Sequence, residues 1–423
     1  MHSSDGGTIH IIGAGLAGLA AAVRLAGSGR TVAVHEATTQ AGGRCRSYHD
    51  QATGILIDNG VHLLLSGNHA VLSYVDAIGS RSGLHGPREA EFPFIDLANG
   101  EQWTLRFGDG RFPWWLFDKD RRVPQTGVVD YLPLVRLAWT SADRPIGQVM
   151  NCTGPIYDRL LAPLLLAALN ITPREGSTQL AGALIRETLA LGGQACRPLL
   201  ARDGLGSVFV DPAVAYLRAR GVSVAFEDEL VGINFSNGRV SRLQFANRQV
   251  GLVEGDAIIL AVPPNVAANL VPGLRTPTSF RGILNAHFRV DPPANLPPML
   301  GIINGTCEWI FAFPGRISIT ISDGGRLFEV PRTEMAQKIW HDVAAVTGIS
   351  GSLPPWQIVR ERRATFAATP EQNALRPAAE TPWVNLFLAG DWIATGLPAT
   401  LESAVRSGYR AADLVGLKVR AAA

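Results

Sequence analysis

The sequence predicts an α/β chain. A parallel sheet is built from both ends of the chain, and an α+β second domain is inserted into it. Three stretches carry this prediction. "IHIIGAGLAG" (9–18) runs from a short apolar segment into glycines at 13, 15 and 18. "TVAVHE" (31–36) is a second apolar segment, closed by an acid. "WVNLFLAGD" (383–391) is a third, near the other end, and an alanine-rich helical pattern follows it.

Ile9–Ile12 reads as a buried parallel strand. Gly13, Gly15 and Gly18 have G-x-G-x-x-G spacing. Gly13 permits the tight turn, Gly15 lets the backbone approach a pyrophosphate, and Gly18 lets the next helix pack close to the strand. That helix, about Leu16–Ser28, turns the positive end of its dipole, at Leu16 and Ala17, toward the phosphates. Thr31–His35 is the second strand. Glu36 closes it, with Ala37 beside it, and its carboxylate can accept both hydroxyls of an adenosine ribose. The glycine spacing alone is a weak signal. Strand, helix, strand and acid in this order point to a Rossmann-like dinucleotide site rather than an ordinary βαβ unit.

The stretch after Glu36 separates FAD from NAD. In "TTQAGGRCRS" (38–47), Gly42 and Gly43 predict a tight turn, from which Arg44 reaches over the pyrophosphate as a fixed cation. Arg46 is expected to face solvent. At the other end of the chain, Gly390–Asp391 terminates a strand where a carboxylate can hydrogen-bond a flavin ribityl chain. Pro398, Ala399 and Thr400 then lead into a helix, Leu401–Leu414. Its N-terminus would face the flavin pyrimidine ring and favour negative charge on the reduced ring. FAD is the expected cofactor.

These motifs resemble the FAD-dependent amine oxidase and phytoene desaturase superfamily. "IDNGVHLLLSG" (57–67), "DGLGSVFVDPAVAYLRARGVSVAFEDELVGINFSNGRV" (203–240) and "DAIILAVPPNVAANLV" (256–271) complete the set. Within it the chain is similar to the hydroxysqualene dehydroxylase family, also described as squalene-associated FAD-dependent desaturases. That resemblance is carried by "DNGVHLLLSGNH" (58–69), "RLLAPLLLAALNITPREGS" (159–177) and "RPLLARDGLGSVFVDPAVAYLRARG" (197–221). It implies an FAD-binding domain of the amine oxidase type, in which Gly43 and the Gly60–Val61–His62 loop pass beside the cofactor. Main-chain groups at Leu230 and Val231 would pair with the adenine, with Ile233 buried beneath. Val61 departs from the polar residue usual in the family. The resemblance also implies reductive removal of the hydroxyl of hydroxysqualene, giving squalene for hopanoid or other triterpene synthesis. The FAD domain would take 1–80, 204–275 and 365–423, and the substrate domain 81–203 and 276–364. The first part of the substrate domain reads as helical, broken at Pro124, Pro133, Pro145 and Pro163. The second part reads as strands at Arg281–Val290, Gly301–Ile303, Ile310–Phe313 and Ile317–Ile321.

Composition agrees with a globular enzyme. Hydrophobic residues make up 47% of the 423 and charged residues 17%, so a large core is available. A formal net charge of +2 supplies no basic stripe for nucleic acid. Cys45, Cys152, Cys196 and Cys307 have no C-x-x-C spacing, so neither a disulfide framework nor a metal site is expected, as suits a reducing cytoplasm. The polar start, "MHSSDGGT", reads as a disordered lead-in rather than a signal peptide. The longest apolar run, "LLAPLLLAAL" (160–169), falls short of the roughly 18 residues that span a bilayer. A peripheral position on the inner membrane face is expected instead. "RFPWWLFDKDRRV" (111–123) joins aromatic to basic residues as an interfacial anchor does, and 156–169 is a second candidate for membrane contact.

The residues themselves agree with a lipophilic isoprenoid substrate. Thr400 stands where an amine oxidase supplies an aromatic residue to its cage, and the chain holds six tyrosines in all. "FPWWLF" (112–117), "LLAPLLLAAL" and "MLGIINGTCEWIFAF" (299–313) could line a long apolar tunnel or serve as core. Replacing an allylic C–OH by C–H needs a hydride and help for the departing hydroxyl. His62 is the expected proton donor, as a histidine that titrates near neutral pH. Asp58 is the other candidate and equally reads as a tether of its loop. Glu402, in the first turn of the C-terminal helix, reads as structural. No second G-x-G-x-x-G with a following acid exists, so electrons are expected from a separate reductase or from free reduced pyridine nucleotide. Two alternatives stand beside this reading: an oxidative carotenoid-type desaturase and a non-catalytic prenyl carrier. Glu36, Arg44 and Asp391 speak against the carrier.

Overall fold

The computed structural model describes residues 7–422. Most of the expected lead-in, residues 1–6, lies outside the described residues. A five-stranded sheet holds, in order, Ser223–Ala225, Val32–His35, Ile9–Ile12, Ala257–Leu260 and Leu386–Leu388, all parallel. Its three central strands are almost wholly buried, as a parallel sheet covered on both faces requires. The two histidines in them satisfy each other: His10 Nδ1 lies 3.1 Å from His35 Nε2, and His35 Nδ1 lies 2.8 Å from Asp228. Burial holds both imidazoles below their usual pKa, His10 at about 4, so this pair is neutral core chemistry.

The first helix, Leu16–Leu25, ends a turn earlier than expected, with Arg24 in its last turn. The C-terminal helix runs further, Leu401–Ala422. Thr400 caps it, accepting the Ser403 N–H at 3.1 Å. The two helices cross in close contact. A Cβ on Gly408 would stand 2.2 Å from Ala17 O, and one on Gly18 would stand 1.9 Å from Gly13 O. Sequence ends roughly 390 residues apart are thereby packed as neighbours.

The second sheet has seven strands: Trp356–Phe366, Phe280–Arg289, Arg316–Ile321, Trp309–Phe313, Met299–Ile303, Ala90–Asp96 and Gln102–Phe107. All neighbours are antiparallel except Met299–Ile303 with Ala90–Asp96. Two of these strands correct the expectation that 81–203 is helical. "FPFID" and "QWTLRF" alternate with period two around the turn "LANGE", and the alternation outweighs Pro93. One face of the sheet packs aliphatic residues and Phe288 against a helix, Arg332–Thr347. The opposite face carries Phe92, Phe94, Trp103, Trp309 and Phe311.

Ile233, expected beneath the adenine, is half-buried and packs on the main core. In "LLAPLLLAAL", Leu160, Leu161, Leu165 and Leu169 are buried and Ala167 is exposed, so one side of this run is core. Gly408→Val is expected to lower stability by about 1–3 kcal/mol, because neither backbone can move aside. A guanidinium unfolding midpoint equal to the parent's would show that the two helices do not meet there.

Candidate active site

The glycine loop and the turn at 42–44 line one groove. Gly15 bridges to Gly42 in a parallel ladder, and an added Cβ at Gly43 would meet Gly15 Cα at 3.5 Å. An added Cβ at Gly15 would meet nothing within 4 Å, so the main chain is open to the groove there. The amides of Leu16, Ala17 and Gly18 lie in the first turn of the helix, which has no intrahelical partner for them. No acidic side chain occupies that turn. This is the donor set of an anion cradle.

At one end of the groove, Glu36 accepts the Ala14 N–H at 2.8 Å and the Thr38 N–H at 3.0 Å. A carboxylate has about four acceptor positions, so capacity for a ribose remains after the Thr38 hydroxyl is counted. Leu230–Ser236 runs beside it, with Asp228 N–H bonded to Glu36 O. Pairing with the next strand slips between Leu230 and Gly232. The slip leaves Val231 without an opposite number, so its main-chain groups are free to meet an adenine edge.

At the other end, Arg44 and Asp391 join. Their side chains form an ion pair at 2.7 Å, and Arg44 also donates to Ala364 O. Asp391 raises the guanidinium's pKa, against the effect of burial. Arg44 stays 44% accessible along the groove while Asp391 is 9% accessible. Arg46 is exposed, as expected. Pro398 and Ala399 precede the capped start of the C-terminal helix.

The 58–62 loop lies between this groove and the seven-stranded sheet. Asp58 is 2% exposed and accepts from Ser47 Oγ at 2.5 Å and Leu205 N at 2.8 Å, with Arg316 3.7 Å away. Both hydrogen bonds fall on Oδ1, as suits the tether, and Oδ2 faces Arg316. Gly60 rests directly on the sheet, since a Cβ there would stand 2.7 Å from Asn285 Nδ2. Val61 packs on the aromatic cluster. His62 makes no hydrogen bond among the described residues. Burial first, then Arg44, lower its pKa to about 4, with Asp391 opposing. This environment favours the neutral imidazole, where the sequence reading expected a histidine titrating near neutrality. Glu402 is structural: it accepts the Ala70 and Val71 amides at 3.0 Å and pairs with Arg406.

The sheet adds residues that the sequence reading missed. Asn285 Nδ2 donates to Asn59 O at 3.2 Å, Thr320 Oγ1 donates to Asn285 Oδ1 at 2.9 Å, and Asn59 Nδ2 donates to Glu361 at 3.1 Å. Along the same face, Thr320 pairs with Trp309. The Phe94 ring lies 5.5 Å from Trp309 and 5.6 Å from Trp103. A polar corner beside the loop thus gives way to an aromatic wall. The available signal was "ILNAHF" (283–288), where Asn285 and His287 alternate with apolar residues and so share a face.

The family described as "Flavin containing amine oxidoreductase" matches residues 16–416. Hydroxysqualene dehydroxylase of Rhodopseudomonas palustris is 59% identical over 409 residues, covering 96% of this chain and 98% of that protein. The protein of the same name from Zymomonas mobilis is 47% identical over 405 residues, covering 96% and 98%. The chain belongs to the hydroxysqualene dehydroxylase family of flavin-containing oxidoreductases. A putrescine oxidase structure has the same fold, with a TM-score of 0.70 at 18% identity, covering 97% of this chain and 99% of that one. FAD is the cofactor of this family member, and the groove fits it. The glycine cradle and Arg44 suit the pyrophosphate, Glu36 and Val231 the adenosine, and Asp391 the ribityl chain.

Asp391→Asn would remove the charge that holds Arg44. FAD titrated into the apoprotein is expected to bind at least about tenfold more weakly, the loss of one charge-assisted pair. Affinity equal to the parent's would show that the pair does not shape the cofactor groove.

Proposed function

We propose that the protein removes the hydroxyl of hydroxysqualene reductively, replacing C–OH by C–H and releasing water, to give squalene. The observation that carries this reading is the sheet face itself: a small polar corner at the flavin loop, continuous with an aromatic wall. That arrangement suits an apolar chain with one hydroxyl. Reduced FAD, when bound, supplies the hydride. The protein's own groups orient the chain, exclude water and steady the departing oxygen. Trp309, which pairs with Thr320 at the edge of the polar corner, would offer its π-face to the allylic cation that forms as the C–O bond breaks. Neutral His62 donates a ring N–H hydrogen bond to the hydroxyl oxygen and steadies it as it leaves, and the proton that completes water is drawn from bulk solvent. Anaerobic reduced enzyme given hydroxysqualene is expected to yield squalene. Unchanged alcohol, with phytoene or squalene dehydrogenated by the oxidised enzyme instead, would select the desaturase.

The pH dependence follows from the His62 environment. A pKa lowered to about 4 keeps the imidazole neutral through pH 5–8, and it charges only as the pH falls toward 4. The His62-dependent step is expected to hold across the neutral range and fall at the acid end. His62→Ala is expected to lose that acid limb and roughly 100-fold in turnover, as for removal of one aimed donor. Loss of activity above pH 6.5 in the parent would instead mean an imidazolium acid.

A substrate of this kind arrives from a bilayer. Phe112, Trp114 and Phe117 are exposed on the 111–117 segment. Leu132, Val135 and Trp139 are exposed along one face of the helix Leu132–Ala138 and its end, at i, i+3 and i+7. No helix among the described residues is long and apolar enough to cross a membrane. Two such aromatic ridges suit a surface that dips into the headgroup layer. Buried Trp115 contacts Phe107, with centroids 4.9 Å apart, and links the ridge to the aromatic wall. The double variant Trp114→Ser, Trp139→Ser is expected to lose flotation with phospholipid vesicles while keeping turnover of detergent-dispersed substrate. Undiminished flotation would rule this surface out.

A further inference from the structure

Arg376 has no part in any motif discussed so far. It follows the short helix Pro370–Asn373 and is 7% exposed. Its guanidinium gathers the segment between the last strand of the parallel sheet and the C-terminal helix. Nη1 donates to Leu397 O at 2.8 Å and to Asn373 Oδ1 at 3.2 Å. Nη2 donates to Asp391 O at 3.2 Å, to Ile393 O and to Thr395 Oγ1 at 3.4 Å. Nε donates to Trp392 O at 3.4 Å. Behind it, the guanidinium lies 4.8 Å from the centre of the Phe366 ring. Residues 391–397 contain no regular helix or strand, so a single side chain satisfies four of their carbonyls.

The charge on this group is as notable as its reach. All its hydrogen-bond acceptors are neutral. The nearest carboxylate, Asp391, is committed to Arg44 at 2.7 Å. Glu361 accepts from Asn59 and Arg363 N. Burial lowers the pKa of Arg376 to about 10, with Asp391 opposing, so it remains a cation at neutral pH.

We infer that Arg376 is a positioning residue for the flavin: it fixes the 391–397 segment in its binding shape and places a constant positive charge behind that segment. The inference rests on the reading that 391–400 flanks the isoalloxazine. Two consequences separate it from a merely structural role. The charge favours the anionic form of the reduced flavin, adding to the dipole of the C-terminal helix. The fork geometry, which lysine cannot reproduce, sets the affinity of the groove for the oxidised cofactor.

The test uses the full-length protein with Arg376→Gln and Arg376→Lys. FAD affinity is read by titrating apoprotein. The ionisation of the dithionite-reduced flavin is read from its absorption as pH is varied without oxygen. Arg376→Gln is expected to hold the reduced flavin anion at least tenfold less well, so the neutral form appears at higher pH. Arg376→Lys is expected to keep the parent's ionisation, to bind FAD about tenfold more weakly, and to be cut by protease within 391–397 in the apoprotein. A glutamine variant with the parent's reduced-flavin titration overturns the inference. Should that variant fail to hold flavin, the lysine variant decides. Parental affinity and protease resistance in it overturn the inference, and the expected split supports it. Failure of the underlying reading looks different, since Asp391→Asn would then leave FAD binding unchanged as well.

Discussion

The pairing of Arg44 with Asp391 is the interaction on which the rest of the site depends. It joins a turn that follows the second strand to a turn that follows the last one, 347 positions on. Arg44 sits in a single 3-10 turn, Gly43–Cys45, and Asp391 in irregular backbone, so little regular hydrogen bonding holds them in place. The parallel sheet does the coarse work by setting Ile9–Ile12 and Leu386–Leu388 on either side of Ala257–Leu260. Gly408 does the next part by letting the two helix backbones close to contact, and Gly18 by letting the first helix sit close on the Gly13 turn. The ion pair then closes the groove at its reactive end. Without Arg44, Asp391 would be a nearly buried charge lacking a counterion, which is strongly destabilising, whereas Arg44 keeps contact with solvent. Arg44 keeps an accessible side, and a pyrophosphate held there would add a second anion.

The seven-stranded sheet resolves a related constraint. A sheet has two faces, and one must be core. Here the aliphatic side chains of the three middle strands and of Phe280–Arg289 go to the helix Arg332–Thr347, which leaves the other face to aromatic and polar groups. Polar side chains buried in strands are costly unless bonded. Asn285 meets this by bonding to both the loop and Thr320, whereas His287 satisfies only Nδ1, 2.9 Å from Ser318, and its Nε2 has no hydrogen-bond partner among the described residues. The loop at 58–62 is held to this corner through Asn59 and Gly60.

How much of this was legible in the sequence follows from how local each signal is. The glycine loop, Glu36, the turn at Arg44 and the strand at Gly390–Asp391 are short-range patterns with a mechanical reason for every residue. They meet in one groove. The strands of 280–321 were readable because β-branched and aromatic residues recur with little interruption. Strands at 90–107 were not, because Pro93 and flanking charges masked a period-two pattern. The charge state of His62 could not be read from its neighbours in sequence: burial and Arg44 set it, and both are tertiary. Arg376 was invisible for the same reason, since all but one of its acceptors are loop atoms whose positions exist only in the fold. Leu160–Leu169 was ambiguous between core and membrane because a hydrophobic run of that length serves either.

The distribution of carboxylates bears on the proposed chemistry. A reaction through an allylic cation is endangered by any free carboxylate in reach, which would capture the cation or take a proton from it. In this protein each acid near the groove is already engaged. Glu36 is held by two amides and a hydroxyl, Asp58 by Ser47 and Leu205, Asp391 by Arg44, Glu361 by Asn59 and Arg363 N, and Glu402 by two amides and Arg406. Beside Asn285 and Thr320 the sheet face carries the Trp309, Phe94 and Trp103 rings. Rings stabilise positive charge through their quadrupoles without offering a nucleophile. The same economy explains why Thr400 can stand at the start of the C-terminal helix. Its hydroxyl is turned back to cap that helix, so the surface it presents to an apolar chain carries no unspent polar group.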